Sequence, residues 1–217
     1  MPLIVFEGTD ASGKKTQAEL LVSTLNTKGQ KVVLIDFPSY ETPFGKLISK
    51  YLKGEFGQRE NLPRKFVCLL YALDRYSRKG EIELLLKKGA IVILDRYTYA
   101  NMAYQTVGLR PAERKKMLDW IEAVENGLPL ANAVVFLDVP PGLSDRLLSA
   151  RKSKIKGVTR DIHEKDRAFA KKVYSNYVRL AKEKKWVVVK CVKNGVLRDK
   201  RDIAGEVYRS LRQRKVL

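Results

Sequence analysis

Short apolar runs recur along the chain, and longer stretches with apolar residues at helical spacing lie between them. The runs at 3–7, 31–36, 90–94, 133–139 and 186–190 are continuous rather than alternating, the habit of strands buried on both faces of a parallel sheet. The first helical stretch, 14–28, places Ala18, Leu21, Val22 and Leu25 on one face. The stretch 62–88 carries Phe66, Leu69, Leu70, Leu73, Ile82 and Leu85, and a break is expected near Gly80. Helices are also expected over 111–125 and 164–185. Residues 151–160 (RKSKIKGVTR) lack a helical stripe and read as a loop. Strand and helix in alternation imply right-handed crossovers and a three-layer α/β domain. No internal repeat or low-complexity linker divides the 217 residues, so a single domain is expected over 1–217.

Composition narrows the class. At 45% hydrophobic the chain is not disordered, and its longest apolar runs are far shorter than a membrane span. The start, MPLIVF, shows no basic region and no cleavage site, so a cytoplasmic protein with no membrane association is expected. Two cysteines, Cys68 and Cys191, build no disulfide framework and no zinc site. The formal net charge of +19 first suggests nucleic acid. The charge is unevenly placed, however. Residues 1–150 hold 21 basic and 17 acidic side chains, whereas 151–217 hold 22 and 7. The first two thirds are nearly balanced, and a nucleic-acid partner is not expected.

Gly8-Thr9-Asp10-Ala11-Ser12-Gly13-Lys14 follows a predicted strand and opens a predicted helix. This is the phosphate-loop pattern in its required context. Its glycines let successive amide N–H groups face one concavity, and the helix N-terminus adds positive potential. Lys14 then reaches the outer phosphates. One position departs: the residue after the lysine usually carries a hydroxyl for Mg²⁺, and here it is Lys15, with Thr16 next. An ammonium cannot ligate a metal. Either Thr16 or water substitutes, or Lys15 acts on the phosphates directly; otherwise it points to solvent and the site is impaired. Asp95-Arg96-Tyr97 ends the third strand, and Phe37-Pro38 the second, at the carboxyl edge where open α/β sheets bind ligands. Asp95 suits Mg²⁺, and the planar fork of Arg96 suits a phosphate. Tyr71 and Arg75 lie one turn apart on the long helix, an aromatic face beside a guanidinium. The single histidine, His163, reads as a polar residue at a helix start.

The segments FEGTDASGKKTQ (6–17), Phe37-Pro38, Asp74-Arg75 and DRYTYANMAYQ (95–105) together resemble the thymidylate kinase family. LDVPPGLSDRLLSAR (137–151), then DIHEKD before a helix with Phe169, Val173 and Tyr177, is similar to the rest of that family. The resemblance implies transfer of the ATP γ-phosphoryl group to dTMP with Mg²⁺, by a P-loop kinase with a five-stranded parallel sheet, acting as a homodimer. By position it implies that Gly8 to Thr16 bind ATP, with Asp10 beside the acceptor. It assigns Asp95 and Thr16 to the metal, Arg75 and Arg96 to the dTMP phosphate, and Phe37, Tyr40, Tyr71, Tyr104 and Gln105 to the acceptor nucleotide. A basic lid is expected at about 150–162. Family members without an arginine in the phosphate loop, as here, place catalytic arginines in the lid, so the resemblance implies Arg151 and Arg160 as catalytic, with Arg146 a third candidate, beside Lys14, Asp10 and Arg96. Ala100 replaces the family's usual serine, which leaves room for a kinase of dUMP, UMP or a deoxynucleoside on the same fold. A basic nucleic-acid-binding protein or an inactive paralogue are the remaining alternatives.

Overall fold

The structure is a computed structural model that describes residues 1–149, 162–163 and 166–217. Five parallel strands form one sheet: β1 (Leu3–Glu7), β2 (Val32–Asp36), β3 (Ile91–Asp95), β4 (Ala133–Asp138) and β5 (Val187–Lys190), in the order β2-β3-β1-β4-β5. The central strands β1 and β3 are buried at every position, as their unbroken apolar runs require. The edge strand β5 alternates buried and exposed residues, since solvent reaches one of its faces.

Within β1, Leu3 and Val5 pack into one core and Ile4 and Phe6 into the other, on opposite faces of the sheet. The Ile4 face is covered by α1 (Lys14–Asn26) and α9 (Lys200–Gln213), through Ala18, Leu21, Ile203, Val207 and Leu211. The Leu3 face is covered by α3 (Arg64–Ser77), α4 (Lys79–Lys87), α5 (Thr98–Gln105), α6 (Pro111–Val124) and α8 (Arg167–Glu183). A third, smaller core joins α2 (Pro43–Lys53) to α3 through Ile48, Tyr51, Leu52, Val67 and Leu70. The helix α7 (Pro141–Ser149) follows β4, and the strands β6 (Val192–Lys193) and β7 (Val196–Leu197) form a short antiparallel hairpin before α9. No described helix is long and apolar enough to cross a membrane.

The long helical stretch divides near Gly80, as expected: the break is at Arg78, where φ is −105° and ψ is 2°, and Gly80 itself lies inside α4. Arg78 there holds Glu81 at 2.7 Å and Ser39 Oγ at 3.1 Å. The stretch begins at Arg64 rather than Leu62, because Pro63 forces the residue before it out of the helical region. The helix expected over 164–185 starts at Arg167, where the Asp166 carboxylate caps it by accepting from Phe169 N–H at 2.9 Å. Residues 150–161, which hold most of the expected lid with Arg151 and Arg160, lie outside the described residues, and so does the side chain of Arg146. Ile162 is described, and its N–H donates to Leu52 O at 3.2 Å.

Candidate functional site

The phosphate loop runs from the end of β1 into α1. Three left-handed residues shape it: Gly8 (φ 150°), Ala11 (φ 57°) and Gly13 (φ 86°), the last capping α1. A side chain at Gly8 would stand 2.7 Å from Ser12 Oγ and 3.1 Å from Leu137 O, so only glycine fits there. Lys14 is buried and folds back on its own loop, donating to Gly8 O at 3.2 Å and Thr9 O at 2.8 Å. Burial pushes its ammonium down to about 8, so it stays protonated at neutral pH.

The loop walls a cavity of about 470 Å³. Asp10 to Gln17, Phe37, Tyr40, Asp95 and Arg96 line it on one side. Gly8 and Thr9, also expected at the phosphates, do not line it; their carbonyls anchor Lys14 instead. Its other wall comes from Leu147 and the C-terminal region: Cys191, Leu197, Arg198, Lys200 and Ile203. That region carries no motif, and only tertiary folding brings it to the loop. Thr16 lines the cavity and is exposed. Lys15 lines it too, and its ammonium stands 3.8 Å from Asp36 and 3.9 Å from Glu19. Asp36 and Asp95 are register partners at the ends of β2 and β3.

A narrower cavity of about 70 Å³ opens beside the first and shares Asp10, Pro38, Tyr40 and Arg96 with it. Leu52, Tyr71, Ala100, Asn101, Tyr104, Gln105 and His163 complete its wall. Arg96 stands at the junction in the left-handed region (φ 68°), unusual for a residue with a side chain and a mark of functional geometry. Its guanidinium donates to Asp10 at 2.6 Å and Tyr177 OH at 3.0 Å. Tyr104 OH donates to the other oxygen of Asp10 at 2.9 Å. Beneath them Glu7, fully buried, accepts from Tyr177 OH and Tyr97 N–H, both at 2.9 Å. Burial raises the Glu7 carboxyl, against the pull of Arg96. A network of alternating carboxylates, hydroxyls and one guanidinium thus holds a cationic fork where the two cavities meet.

The acceptor-side wall is fixed from α3. Asp74 accepts from Ser39 N–H at 2.9 Å and from the Thr42 hydroxyl at 3.0 Å, which pins the turn carrying Pro38 and Tyr40. Arg75 behaves otherwise than expected. It is buried, paired with Glu125, and lines neither cavity. A guanidinium this deep beside a carboxylate is held by charge pairing, and the structure does not bring it to the cavities where a phosphate clamp was expected. His163 is also more than a polar helix start. It is buried, its Nε2 is 3.0 Å from Tyr51 OH, and its ring stacks on Phe169 at 5.4 Å.

Asp10, Lys14, Asp95, Arg96, Tyr40, Tyr71, Tyr104 and Gln105, all expected from the sequence, line these two cavities, whereas Glu7, Asn101, Glu125 and Tyr177 were not among the expected site residues. A carboxylate ending an otherwise apolar buried strand was a usable signal for Glu7. Glu125 sits at a helix end and carried none.

Comparison with known proteins agrees with this geometry. The family model for thymidylate kinase matches residues 6–203. The chain is 34% identical over 184 residues to a thymidylate kinase of Plasmodium falciparum, covering 85% of this chain and 79% of that one. It is 32% identical over 185 residues to a thymidylate kinase of Schizosaccharomyces pombe, covering 83% and 77%. A solved thymidylate kinase from Candida albicans superposes with a TM-score of 0.77 at 26% identity, over 99% of this chain and 92% of that one. A phosphate loop on a five-stranded parallel sheet, a cationic fork between two cavities and a family match over nearly the whole length converge: the chain belongs to the thymidylate kinase family of phosphotransferases.

Proposed function

We propose that this chain transfers the γ-phosphoryl group of ATP to dTMP, giving dTDP and ADP, in the cytoplasm where both substrates are free solutes. The observation that carries the reading is the junction of the two cavities at Arg96 and Asp10, with a phosphate loop on one side and an aromatic pocket on the other. Phosphoryl transfer needs positioning and neutralisation of charge more than covalent chemistry. Loop amides and Lys14 hold the donor phosphates. Arg96, its fork fixed by Asp10 and Tyr177, holds the acceptor phosphate. Tyr71, Tyr104 and Gln105 hold the nucleoside. The acceptor is itself a phosphate and largely ionised, so no strong base is required, and His163, kept neutral by burial, serves as a wall. In this reading residues 1–217 are one P-loop kinase domain, and Arg151 and Arg160, with Arg146, close over the transferring group from the lid.

The donor set fits Mg²⁺. Asp95 is buried at the cavity edge and the Thr16 hydroxyl lines the same wall, hard oxygens of the kind this ion takes. These two residues would hold it, and when bound it would neutralise charge on the donor phosphates. Lys15 leans toward Asp36, and Thr16 carries the hydroxyl next to it on the cavity wall.

A homodimer fits the surface. Phe66, Leu69 and Leu73 repeat along one side of α3 and are 40%, 42% and 43% exposed. Such a stripe on an otherwise charged surface suits a second copy of the same helix.

The test is release of ADP with dTMP, dUMP, UMP and thymidine as acceptors, with and without Mg²⁺. Turnover is expected with dTMP above the others and only with the metal. Faster turnover on UMP or thymidine, or none on any acceptor, overturns the reading.

A further inference from the structure

The residue that departs from the phosphate-loop pattern, Lys15, is placed where stability alone would not put it. It is the second residue of α1, whose first turn, Lys14 to Gln17, holds two cations and no acid. A helix N-terminus repels cations, so two adjacent lysines there work against the helix. The carboxylates nearest Lys15 offset this little. Its ammonium stands 3.8 Å from Asp36 and 3.9 Å from Glu19, well beyond the about 2.8 Å of a charge-assisted hydrogen bond. The side chain is 54% exposed, which weakens both pairs further. The pair with Glu19 also runs lysine first, the poorer order at this spacing on a helix.

Its surroundings indicate what the charge is for. Lys15 lines the cavity of about 470 Å³ beside Lys14 and Thr16. Lys14 is held by two carbonyls of its own loop, at 2.8 and 3.2 Å. Lys15 has no such close anchor among its ion pairs, and its ammonium rides on a flexible four-carbon stem. Asp36, which it faces, is the register partner of Asp95, so the ammonium lies at the sheet edge where the proposed metal ligands are. A polyphosphate that brings no metal is more negative by the charge of the ion, and for such a donor Lys15 is the mobile positive charge at hand.

We infer that Lys15 is a binding residue for donor phosphates that carry no metal: it gives the cavity affinity for metal-free ATP, and so makes ATP in excess of Mg²⁺ a competitor of the metal complex. The ammonium leaves its two distant carboxylates and donates to a phosphate oxygen. With the metal complex, whose charge is already partly cancelled, it stays near Asp36 and contributes little. The inference rests on the reading of this cavity as the ATP site.

The test is calorimetric titration with ATP in EDTA, with inorganic triphosphate in EDTA, and with ATP in saturating Mg²⁺. The unaltered chain is compared with Lys15→Met, which keeps the length and loses the charge, and with Lys15→Arg, which keeps the charge. In EDTA, Lys15→Met is expected to bind ATP and triphosphate about tenfold more weakly, the value of one charge-assisted hydrogen bond, and Lys15→Arg to stay within about threefold of the unaltered chain. With Mg²⁺, Lys15→Met is expected to stay within about threefold as well. Equal weakening with and without Mg²⁺, or no weakening in EDTA, overturns the proposal. Thermal unfolding is the second measurement. Lys15→Met is expected to melt no lower than the unaltered chain, because it relieves charge at the helix start. A lower midpoint with the Kd in EDTA unmoved makes Lys15 a strap between α1 and β2 and overturns the proposal. Binding is read apart from transfer. A chain that binds ATP in EDTA through Lys15 but phosphorylates no acceptor refutes the proposed reaction and leaves this role standing; a chain that turns over dTMP with its affinity in EDTA unmoved by Lys15→Met refutes this role alone.

Discussion

Lys14 shows how one side chain serves both loop and ligand. Its ammonium is buried against two carbonyls of its own loop, at 2.8 and 3.2 Å, within reach of the cavity it lines. Preorganised charge at a phosphoryl-transfer site is worth several kcal/mol in the transition state. Lys14→Ala is therefore expected to lower kcat by about 10²- to 10³-fold while thermal unfolding monitored by circular dichroism changes little. Turnover within fivefold of the unaltered chain refutes the role. His163 gives a second expectation. Burial pushes its pKa down to about 4, from an ordinary value of 6.5, so the folded chain holds it neutral. Between these pH values the unfolded chain binds the extra proton, so the stability this group contributes is present above about 6.5 and is lost as pH falls toward 4. The full effect is about 3 kcal/mol. Because His163 is the single histidine, urea unfolding of the chain and of His163→Asn isolates it. The stability difference between the two is expected to shrink in favour of the variant from pH 7 to 4.5. A difference that stays constant with pH rules the buried neutral state out.

At the scale of elements, the pocket depends on how α2 and α3 clasp the turn after β2. Asp74 pins Ser39 and Thr42 from one side. Thr42 caps α2 by accepting from Gly45 N–H at 2.9 Å. Gly45 packs so closely that a Cβ there would stand 1.8 Å from Ser39 O and 2.8 Å from Tyr40 Cα. No side chain fits without displacing backbone, and that backbone carries Tyr40 into both cavities. Gly45→Ala is expected to destabilise the fold by about 1–3 kcal/mol and to raise KM for dTMP more than it lowers kcat. Unchanged stability by chemical denaturation, or an unchanged KM, would show that the helix is free to shift without moving the wall. The inserted hairpin and α9 make the matching point on the donor side, where Leu197, Arg198 and Ile203 complete a cavity whose other wall begins almost two hundred residues earlier.

For the whole molecule, two surfaces stand out. The +19 charge is concentrated after residue 150, and part of that region forms a wall of the phosphate-facing cavity through Arg198 and Lys200. A cationic wall there has anionic phosphates to face without any polymer partner. The other surface is the apolar stripe of α3. In the proposed homodimer, Leu69→Glu/Leu73→Glu places like charges across a two-fold contact at this helix, and is expected to leave a monomer in sedimentation velocity with the fold intact. A variant that sediments as the unaltered chain does would place the contact elsewhere.

The alternation of apolar runs and helical stretches, and a glycine-rich loop between the first of each, were enough to determine the parallel sheet, the phosphate side and the residues at strand ends. They are local properties, written in the period of side-chain burial and in backbone conformations that few residues adopt. Residues such as Asp95 and Arg96 were legible because the carboxyl edge of such a sheet is a known place. The wall supplied by the C-terminal region, the pinning role of Asp74 and the withdrawal of Arg75 into a buried pair with Glu125 were decided only by tertiary structure. Each depends on a partner 30 to 190 positions away, and one chain carries no local mark of which distant carboxylate will reach a guanidinium first. Where burial is complete, the energy of an unpaired charge forces that choice, and it is made in three dimensions.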